Sequence, residues 1–340
     1  MNTSAMAREA KEAPERVSSQ LDRDSQRLSD IADTLRAFHP RVVLTCARGS
    51  SDHAATYARY MIETRLGLLT SSASPSVSSV YGVKQELDGC LFLVISQSGR
   101  SPDLLAAAAA AKDSGALVMA MVNVEDSPLA AAADHVIPLR AGPETSVAAT
   151  KSYICALAAS LHLVARWSEN EALLTQFKNL PAQLREAWQL DWRPMVGLLT
   201  QATNLFVLGR GLGLAMAQEA ALKFKETCGL HAEAFSGAEV RHGPMALMKQ
   251  NLPALIFTQD DETRAGMEVL ARDLSASGAR VLMAGGAAPG VMQLPTLAAD
   301  AAVAPILFIQ SFYRWAAELA LARGFDPDHP PHLKKVTETF

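Results

Sequence analysis

Short apolar runs alternate with helix-like segments along most of this chain. The runs at 41–46, 91–96, 116–122 and 135–139 have the length of buried strands, and helical patterns follow at 53–66, 104–114 and 151–167. Strands that are apolar on both faces and separated by helices are typical of a parallel sheet covered by helices on both sides. The pattern therefore predicts an α/β fold.

The strand and helix pattern then occurs a second time at a steady offset. Arg210 lies 162 residues after Arg48, and Gln259 lies 162 residues after Gln97. A constant offset indicates two copies of one domain. We expect a helical arm over residues 1–38, a first α/β domain over 39–180, a second over 181–323 and a tail over 324–340.

Composition narrows the class of protein. Of the 340 residues 49% are hydrophobic and 19% charged, which is enough apolar material for a large core. The net charge of −4 comes without a basic patch, so we expect no nucleic-acid partner. The N-terminus lacks the apolar stretch of a signal peptide, and no apolar run is long enough to span a membrane. Four widely spaced cysteines without a CxxC motif favour a reduced, cytoplasmic protein.

A candidate acid–base group lies on the helix predicted at 214–227. Glu219, Lys223 and Glu226 are spaced i, i+4 and i+7, so they project from one face, while Ala217 and Phe224 lie on an apolar face. Carboxylates and an amine on a rigid helix suit proton transfer. A solvated helix surface is the alternative interpretation.

We predict a polar loop after this helix, carrying His231, Glu233, Glu239 and His242. Histidine near neutral pH is suited to general acid–base work. By residue type, His231, Glu233 and His242 could bind a metal. The preferred interpretation of His231 is a loop histidine with an ordinary hydrogen bond. We therefore expect no metal and no cofactor.

A candidate anion site follows the second strand. In SQSGRSP, at 96–102, Ser101 is a good N-cap and Pro102 suits the first helical position, and backbone N–H groups at a helix start bind anions. A capped turn without a ligand is the alternative. The second copy has TQDDETR at the matching place, where the acidic side chains would repel a phosphate. We predict that one phosphate is bound by Ser51, Ser96, Gln97, Ser98 and Ser101, with Ser50 at the same edge of the sheet.

These segments resemble, in order, those of the sugar isomerase (SIS) family. The similarity is to the isomerase half of glucosamine-6-phosphate synthases and to stand-alone SIS-type glucosamine-6-phosphate deaminases. It rests on CARGSSDHA, ISQSGRSPD, AGPETSVAATKS, the 205–248 stretch and DPDHPPHLKKVTETF. The resemblance implies two tandem SIS domains, each a parallel-sheet, three-layer α/β sandwich of flavodoxin-like type.

The resemblance also implies residue roles. Glu226 falls on the base that moves a proton between C1 and C2, and Lys223 on its neighbouring lysine. His242 falls on the histidine that assists ring opening from the partner subunit of a homodimer. Lys335 falls on the catalytic lysine of the tail, and a backbone group of Val147 is expected to contact the sugar.

Several residues near these motifs are left open by the sequence. Glu219 is expected to contact substrate or to be a structural partner of Lys223. Lys151 is interpreted as a surface lysine at a helix start. Arg48 and Arg210 are interpreted as turn residues without a firm role.

Two departures from the synthase pattern guide the predicted reaction. Only a short helical arm precedes the first domain, so we expect no glutaminase, and position 100 is arginine where the synthase loop carries glutamate. Both features favour conversion of glucosamine 6-phosphate to fructose 6-phosphate and ammonia through an enediol or enolamine. The alternatives are another amino-sugar or fructosamine phosphate as substrate, or a non-catalytic sugar-phosphate sensor.

Overall fold

The computed structural model describes residues 4–248 and 251–335. These residues divide into two compact units. The first unit contains residues 15–144, 151–179 and 334–335, and the second contains 4–14, 145–150, 180–248 and 251–333. The tail residues 336–340, and residues 1–3 of the predicted arm, lie outside the described residues.

The first unit is built on five parallel strands. Two helices begin the chain, α1 (Ala5–Lys11) in the second unit and α2 (Ala13–Phe38) almost wholly in the first. There follow β1 (Val42–Cys46), α3 (Ser50–Leu66), β2 (Thr70–Ser72), α4 (Ser76–Ser79), β3 (Cys90–Ser96), α5 (Pro102–Asp113), β4 (Leu117–Val122), α6 (Pro128–Ala132), β5 (His135–Pro138), α7 (Lys151–Trp167) and α8 (Glu171–Ala187). The strand order is β2-β1-β3-β4-β5.

The second unit repeats this arrangement. Its elements are α9 (Arg193–Leu199), β6 (Asn204–Gly209), α10 (Gly213–Cys228), β7 (His231–Ser236), the 3₁₀ turns Glu239–Arg241 and Pro244–Leu247, β8 (Pro253–Phe257), α11 (Arg264–Ala276), β9 (Arg280–Ala284), β10 (Met292–Leu294) and α12 (Ala304–Ala322). The strands are again parallel, in the order β10-β9-β8-β6-β7. Read from the other edge this is the order of the first sheet, which is the flavodoxin-like order. The predicted fold class, two copies of one parallel α/β domain, is confirmed.

Each sheet is buried by apolar side chains. All seven residues of β3 are buried, and on one face Phe92 and Val94 pack with Leu104 of α5. In the second sheet Ile256 of β8 packs with Leu270 of α11. Burying a side chain of this size contributes about 1.5–3 kcal/mol. The central strands therefore fix the sheets, and the loops at their ends are free to carry polar groups.

The structure corrects one prediction about the second unit. Residues 231–236, predicted as part of a polar loop, form β7, an edge strand parallel to β6. The sequence HAEAFS has no β-branched residue, and Phe235 is its one residue of a type that favours strands. Pairing with β6 supplies the backbone hydrogen bonds that make the segment a strand. The short edge strands β2 and β10 also escaped prediction, because each has only three residues.

Two further findings concern the whole described chain. In residues 4–248 and 251–335 no helix is long and apolar enough to cross a membrane. The four cysteines are all buried and free, as their spacing predicts. Burial raises the pKa of the Cys46 thiol, at the end of β1, to about 12, so this thiol is neutral.

Candidate active site

The predicted phosphate loop lies between β3 and α5, at the carboxyl edge of the first sheet. Its neighbour on this edge is the loop after β1, because β1 and β3 are paired, with Cys46 opposite Val94. In the strand order 2-1-3-4-5, β1 is followed along the chain by a strand on one side of it and β3 by a strand on the other side. The position between β1 and β3 is therefore a topological switch point, where open α/β sheets bind ligands. The topology therefore places the two serine-bearing loops at the expected ligand edge.

Glycine is required at the turn of the phosphate loop. Gly99 has φ +63°, and a Cβ there would lie 2.2 Å from the Oγ of Ser127. A residue with a side chain would be both strained and in collision. The close approach holds the loop against the start of α6, where Leu129 N–H donates to the Gly99 carbonyl over 3.1 Å.

The serine hydroxyls of this loop either accept a hydrogen bond or make no capping bond, so they can still donate one. Ser101 is the N-cap residue of α5 as predicted, but its side chain makes no capping hydrogen bond. Ser96 Oγ accepts from Gly99 N–H over 3.1 Å, and Ser98 Oγ accepts from Arg100 N–H over 3.3 Å. A hydroxyl that accepts can still donate, so this arrangement leaves donors for an anion.

The other predicted ligands of the phosphate lie on the same sheet edge. Ser50 and Ser51 are the first two residues of α3, after Gly49 with φ +55°. Ser51 N–H donates to the Arg48 carbonyl over 3.1 Å, and Gln97 is half-buried at the end of β3. The structure thus brings the five predicted phosphate residues, together with Ser50, to the same edge of the sheet.

In the matching loop of the second unit, the side chain of Asp261 accepts hydrogen bonds from neighbouring residues of the same loop. Asp261 accepts from Thr263 N–H over 2.8 Å and from Gln259 Nε2 over 2.6 Å. Donors of this loop are therefore used within the loop itself. The contrast predicted from SQSGRSP and TQDDETR therefore has a structural basis.

The acid–base helix α10 carries a buried ion cluster. Glu219 and Lys223 are fully buried, with Lys223 Nζ 3.5 Å from Glu219 Oε1. Lys223 Nζ also pairs with Glu226 Oε2, and the Glu226 side chain is 20% exposed. The alternative of a solvated helix face is therefore wrong for the first two residues. Of the three, only Glu226 has a partly exposed side chain.

Tyr313 of α12 belongs to this cluster and was not found from the sequence. Its hydroxyl donates to Glu219 Oε1 over 2.9 Å, and its ring is fully buried. A hydrogen bond from a neutral donor and a nearby ammonium both favour the charged form of a carboxylate. Tyr313 lies within a long apolar helix, where a tyrosine gives no signal of its partner. These contacts make Glu219 a structural partner of Lys223 and Tyr313, whereas substrate contact by Glu219 stays a prediction.

A second buried carboxylate missed by the sequence analysis holds the tail lysine. Lys335 Nζ lies 3.2 Å from Glu144 Oε2, and the Glu144 side chain is fully buried. Ser152 donates to Glu144 through its N–H and, over 2.6 Å, through its hydroxyl. The AGPE motif gave no sign of this burial, because Gly142 beside it is half-buried and Pro143 is exposed. Lys151, interpreted as a surface lysine, is 1% exposed, since α7 is buried along its first turns.

The two remaining predicted site residues lie in the second unit. His242 is exposed and follows the first 3₁₀ turn, where its N–H donates to the Glu239 carbonyl over 2.8 Å. Val147 N–H donates to the Asp328 carbonyl over 3.4 Å. Its own carbonyl is therefore the better candidate for the predicted sugar contact.

His231 and Glu233 lie elsewhere, on the exposed face of β7. They line an open cavity of about 460 Å³ together with residues at the amino ends of β6, β8 and β9. This is the sheet edge opposite to the one where α/β folds bind ligands. Among the described residues no three histidine, cysteine, aspartate or glutamate side chains group as metal ligands.

Comparison with known proteins identifies the family. The SIS domain profile matches residues 38–166 and 198–285, one match in each half of the chain. The chain belongs to the SIS domain family. Each SIS match begins before β1 or β6 and includes the carboxyl-edge loops described above.

Among its relatives, this SIS chain is 32% identical over 323 residues to the glutamine–fructose-6-phosphate aminotransferase (isomerizing) of Legionella pneumophila strain Lens. The match covers 91% of this chain and 52% of the relative, so the chain spans about half the relative's length.

Solved structures are also similar. A candidate phosphosugar isomerase from Silicibacter pomeroyi DSS-3 has a TM-score of 0.92 at 43% identity, over 96% of this chain and 100% of that one. The C-terminal domain of glucosamine-fructose-6-phosphate aminotransferase from Francisella tularensis has a TM-score of 0.86 at 26% identity, over 96% and 98% of the two chains. This SIS chain is thus similar to phosphosugar isomerases along nearly its whole length.

Proposed function

We propose that this SIS protein is a phosphosugar aldose–ketose isomerase that also releases ammonia, converting glucosamine 6-phosphate and water to fructose 6-phosphate and ammonia. The observation that carries the proposal is the cluster on α10. A buried lysine held between a buried and a partly exposed glutamate is costly for stability, and such clusters concentrate at functional sites. A protein that only bound a sugar phosphate would not need it.

The chemistry requires one base that works on two adjacent carbons. In the open-chain aldehyde form of the amino sugar, the Glu226 carboxylate takes the proton from C2, and an enolamine forms. The same proton is returned to C1, while O1 takes up a proton and the amine nitrogen loses one, which leaves an imine at C2. Water adds to this imine and ammonia leaves, giving the ketose. Glu226 suits this role because its side chain is partly exposed and its carboxylate is paired with the Lys223 ammonium.

The other polar groups are assigned to separate steps. Lys223, fixed by Glu219, supplies positive charge beside the base and can stabilise the oxyanion that develops at C1. His242 is proposed to open the sugar ring, acting across the interface of a homodimer. Lys335, held by Glu144, is proposed as the second catalytic cation. The phosphate is proposed to bind the serine loops of the first sheet.

The test is an ammonia-release assay with a panel of phosphorylated amino sugars. The panel contains glucosamine 6-phosphate, galactosamine 6-phosphate and a fructosamine phosphate, with unphosphorylated glucosamine as the blank. We expect release from the first substrate, at a rate at least a hundredfold lower for Glu226→Gln, since removing a general base costs about 10²–10⁴-fold. Lys225→Gln is the matched control, because Lys225 is exposed on the same helix.

The possible outcomes separate the candidates. Release only from another substrate of the panel would move the assignment within the family. A wild-type protein that binds sugar phosphates tightly without turnover would contradict an enzymatic function. In the same series Ser98→Ala with Ser101→Ala should raise KM far more than it lowers kcat, since these hydroxyls are proposed to contact the non-reacting phosphate.

A further inference from the structure

An arginine–aspartate pair joins the two serine loops of the first sheet. Arg48 lies two residues after the end of β1, and Asp103 is the second residue of α5. Arg48 Nε donates to Asp103 Oδ2 over 2.8 Å, and Arg48 Nη2 lies 2.7 Å from the same oxygen. The Asp103 side chain is 1% exposed, whereas the Arg48 side chain is 54% exposed. The aspartate is thus fixed, and the arginine extends from it towards solvent.

The position of Asp103 is unusual for a helix that is expected to bind an anion. Its Oδ1 accepts from Leu104 N–H over 2.9 Å, and Pro102 has no N–H to give. The first turn of α5 therefore has few backbone donors left for a ligand, and it carries a negative charge. A phosphate at this loop needs a compensating cation.

Two cations are available on these loops. Arg100 is exposed, and in the described part of the chain its side chain makes no ion pair. Arg48 is oriented by two contacts to a buried carboxylate. Among the described residues its third guanidinium nitrogen, Nη1, has no hydrogen-bond partner, and it can donate to a phosphate oxygen.

The second copy provides an internal comparison. Arg210 stands at the place of Arg48, but Ala265 stands at the place of Asp103, 162 residues further on. The copy whose loop is filled by Asp261 therefore lacks the pair. The arginine–aspartate pair occurs in the copy that has the serines.

We propose that Arg48 is a phosphate-binding residue, with Asp103 as the positioning residue that orients it. Nη1 donates to the sugar phosphate while Nε and Nη2 remain on Asp103, so that one guanidinium connects the loop after β1 with the loop after β3. The ligand class follows from the proposed function, in which the substrate is a phosphorylated sugar. The role requires only that a phosphate group binds at this edge of the first sheet.

Calorimetric titration of the 340-residue chain tests this role without depending on turnover. The ligands are fructose 6-phosphate and, separately, inorganic phosphate. We expect Arg48→Ala to weaken both affinities at least tenfold, and Arg48→Lys, which keeps the charge but loses the forked geometry, to weaken them less. Asp103→Asn should also weaken binding, because the guanidinium is no longer fixed by a carboxylate.

Arg140→Ala is the matched control. Arg140 pairs with the buried Asp24 in the same unit through two nitrogens, so its loss should affect stability in a similar way. Its affinity for both ligands should equal that of the wild type. Equal affinities for wild type and Arg48→Ala, or an equal loss in Arg140→Ala, would overturn the assignment. If Arg48→Ala does not fold, wild-type affinity in both Arg48→Lys and Asp103→Asn would do the same.

The titration is independent of the ammonia assay. A chain that releases no ammonia but loses phosphate binding on substitution of Arg48 would refute the proposed reaction and support this residue assignment. If the chain turns over glucosamine 6-phosphate but Arg48→Ala leaves the phosphate affinity unchanged, the proposed reaction is supported and the assignment of Arg48 is refuted.

Discussion

Replacing Lys223 with methionine is the most direct test of the ion cluster on α10. The substitution keeps the length and the apolar stem of the side chain and removes only the ammonium. Its partner Glu219 is fully buried, 3.5 Å away, with the Tyr313 hydroxyl on the same oxygen. Removing one partner of a buried pair leaves a buried charge without its counter-ion, which costs about 3–5 kcal/mol.

The size of this effect can be separated from ordinary packing loss. Lys225→Met, on the exposed side of the same helix, should change the free energy of unfolding by no more than about 0.5 kcal/mol. The double variant Glu219→Gln with Lys223→Met should be more stable than Lys223→Met alone, because the buried carboxylate is gone. The coupling between the two sites is expected to be about 1–3 kcal/mol.

Urea unfolding followed by circular dichroism measures wild type, Lys223→Met, Lys225→Met, Glu219→Gln and the double variant, where Glu219→Gln completes the double-mutant cycle. If Lys223→Met is as stable as Lys225→Met, the ammonium does not stabilise Glu219. If the double variant is no more stable than Lys223→Met, the lost stability comes from packing around position 223. The ion cluster would then contribute no electrostatic stabilisation.

Three further predictions address other parts of the chain. Burial, and to a lesser degree Arg166, lowers the pKa of His162 to about 3, so the unfolded chain takes up the proton first as pH falls below 6.5. The free energy of unfolding should therefore fall by about 2 kcal/mol between neutral pH and pH 5. Urea unfolding at these two pH values measures the fall, and His162→Phe should remove the part that comes from this histidine. Glu144→Gln should lower kcat for ammonia release at least tenfold with little change in KM, because a neutral amide does not hold the Lys335 ammonium; unchanged kcat would contradict the role of that pair. Gly99→Ala should destabilise the fold by about 1–3 kcal/mol and weaken phosphate binding, while Gly197→Ala, with open space around it and an ordinary φ, should leave both intact or improve stability.

The repeated fold was predictable because its signals are local. Strands β1, β3, β4, β6 and β8 are continuous apolar runs, and the helices between them are amphipathic or alanine-rich. Such runs have few alternatives to a buried parallel sheet. The edge strand β7 was not predictable, since apart from Phe235 its residues do not favour strands, and pairing with β6 makes the segment a strand.

The candidate site was predictable to the extent that its residues follow each other along the chain. The spacing of Glu219, Lys223 and Glu226 on one helix and the serines of one loop are visible without a structure. Partners from distant segments are not. Tyr313 lies 94 residues from Glu219, and Lys335 lies 191 residues from Glu144. Nothing in the local sequence names such a partner.

The sequence by itself determined the two-fold repeat, the parallel sheets and the difference between a serine-rich and an acidic loop, because these depend on hydrophobic periodicity and residue type. Tertiary structure alone decided which carboxylates are buried, which cation each one meets, and that Arg48 is held by Asp103 across two adjacent loops. The physical reason is that burial and ion pairing depend on the distance between side chains in the folded chain. A linear pattern fixes that distance only for residues within the same helix or strand.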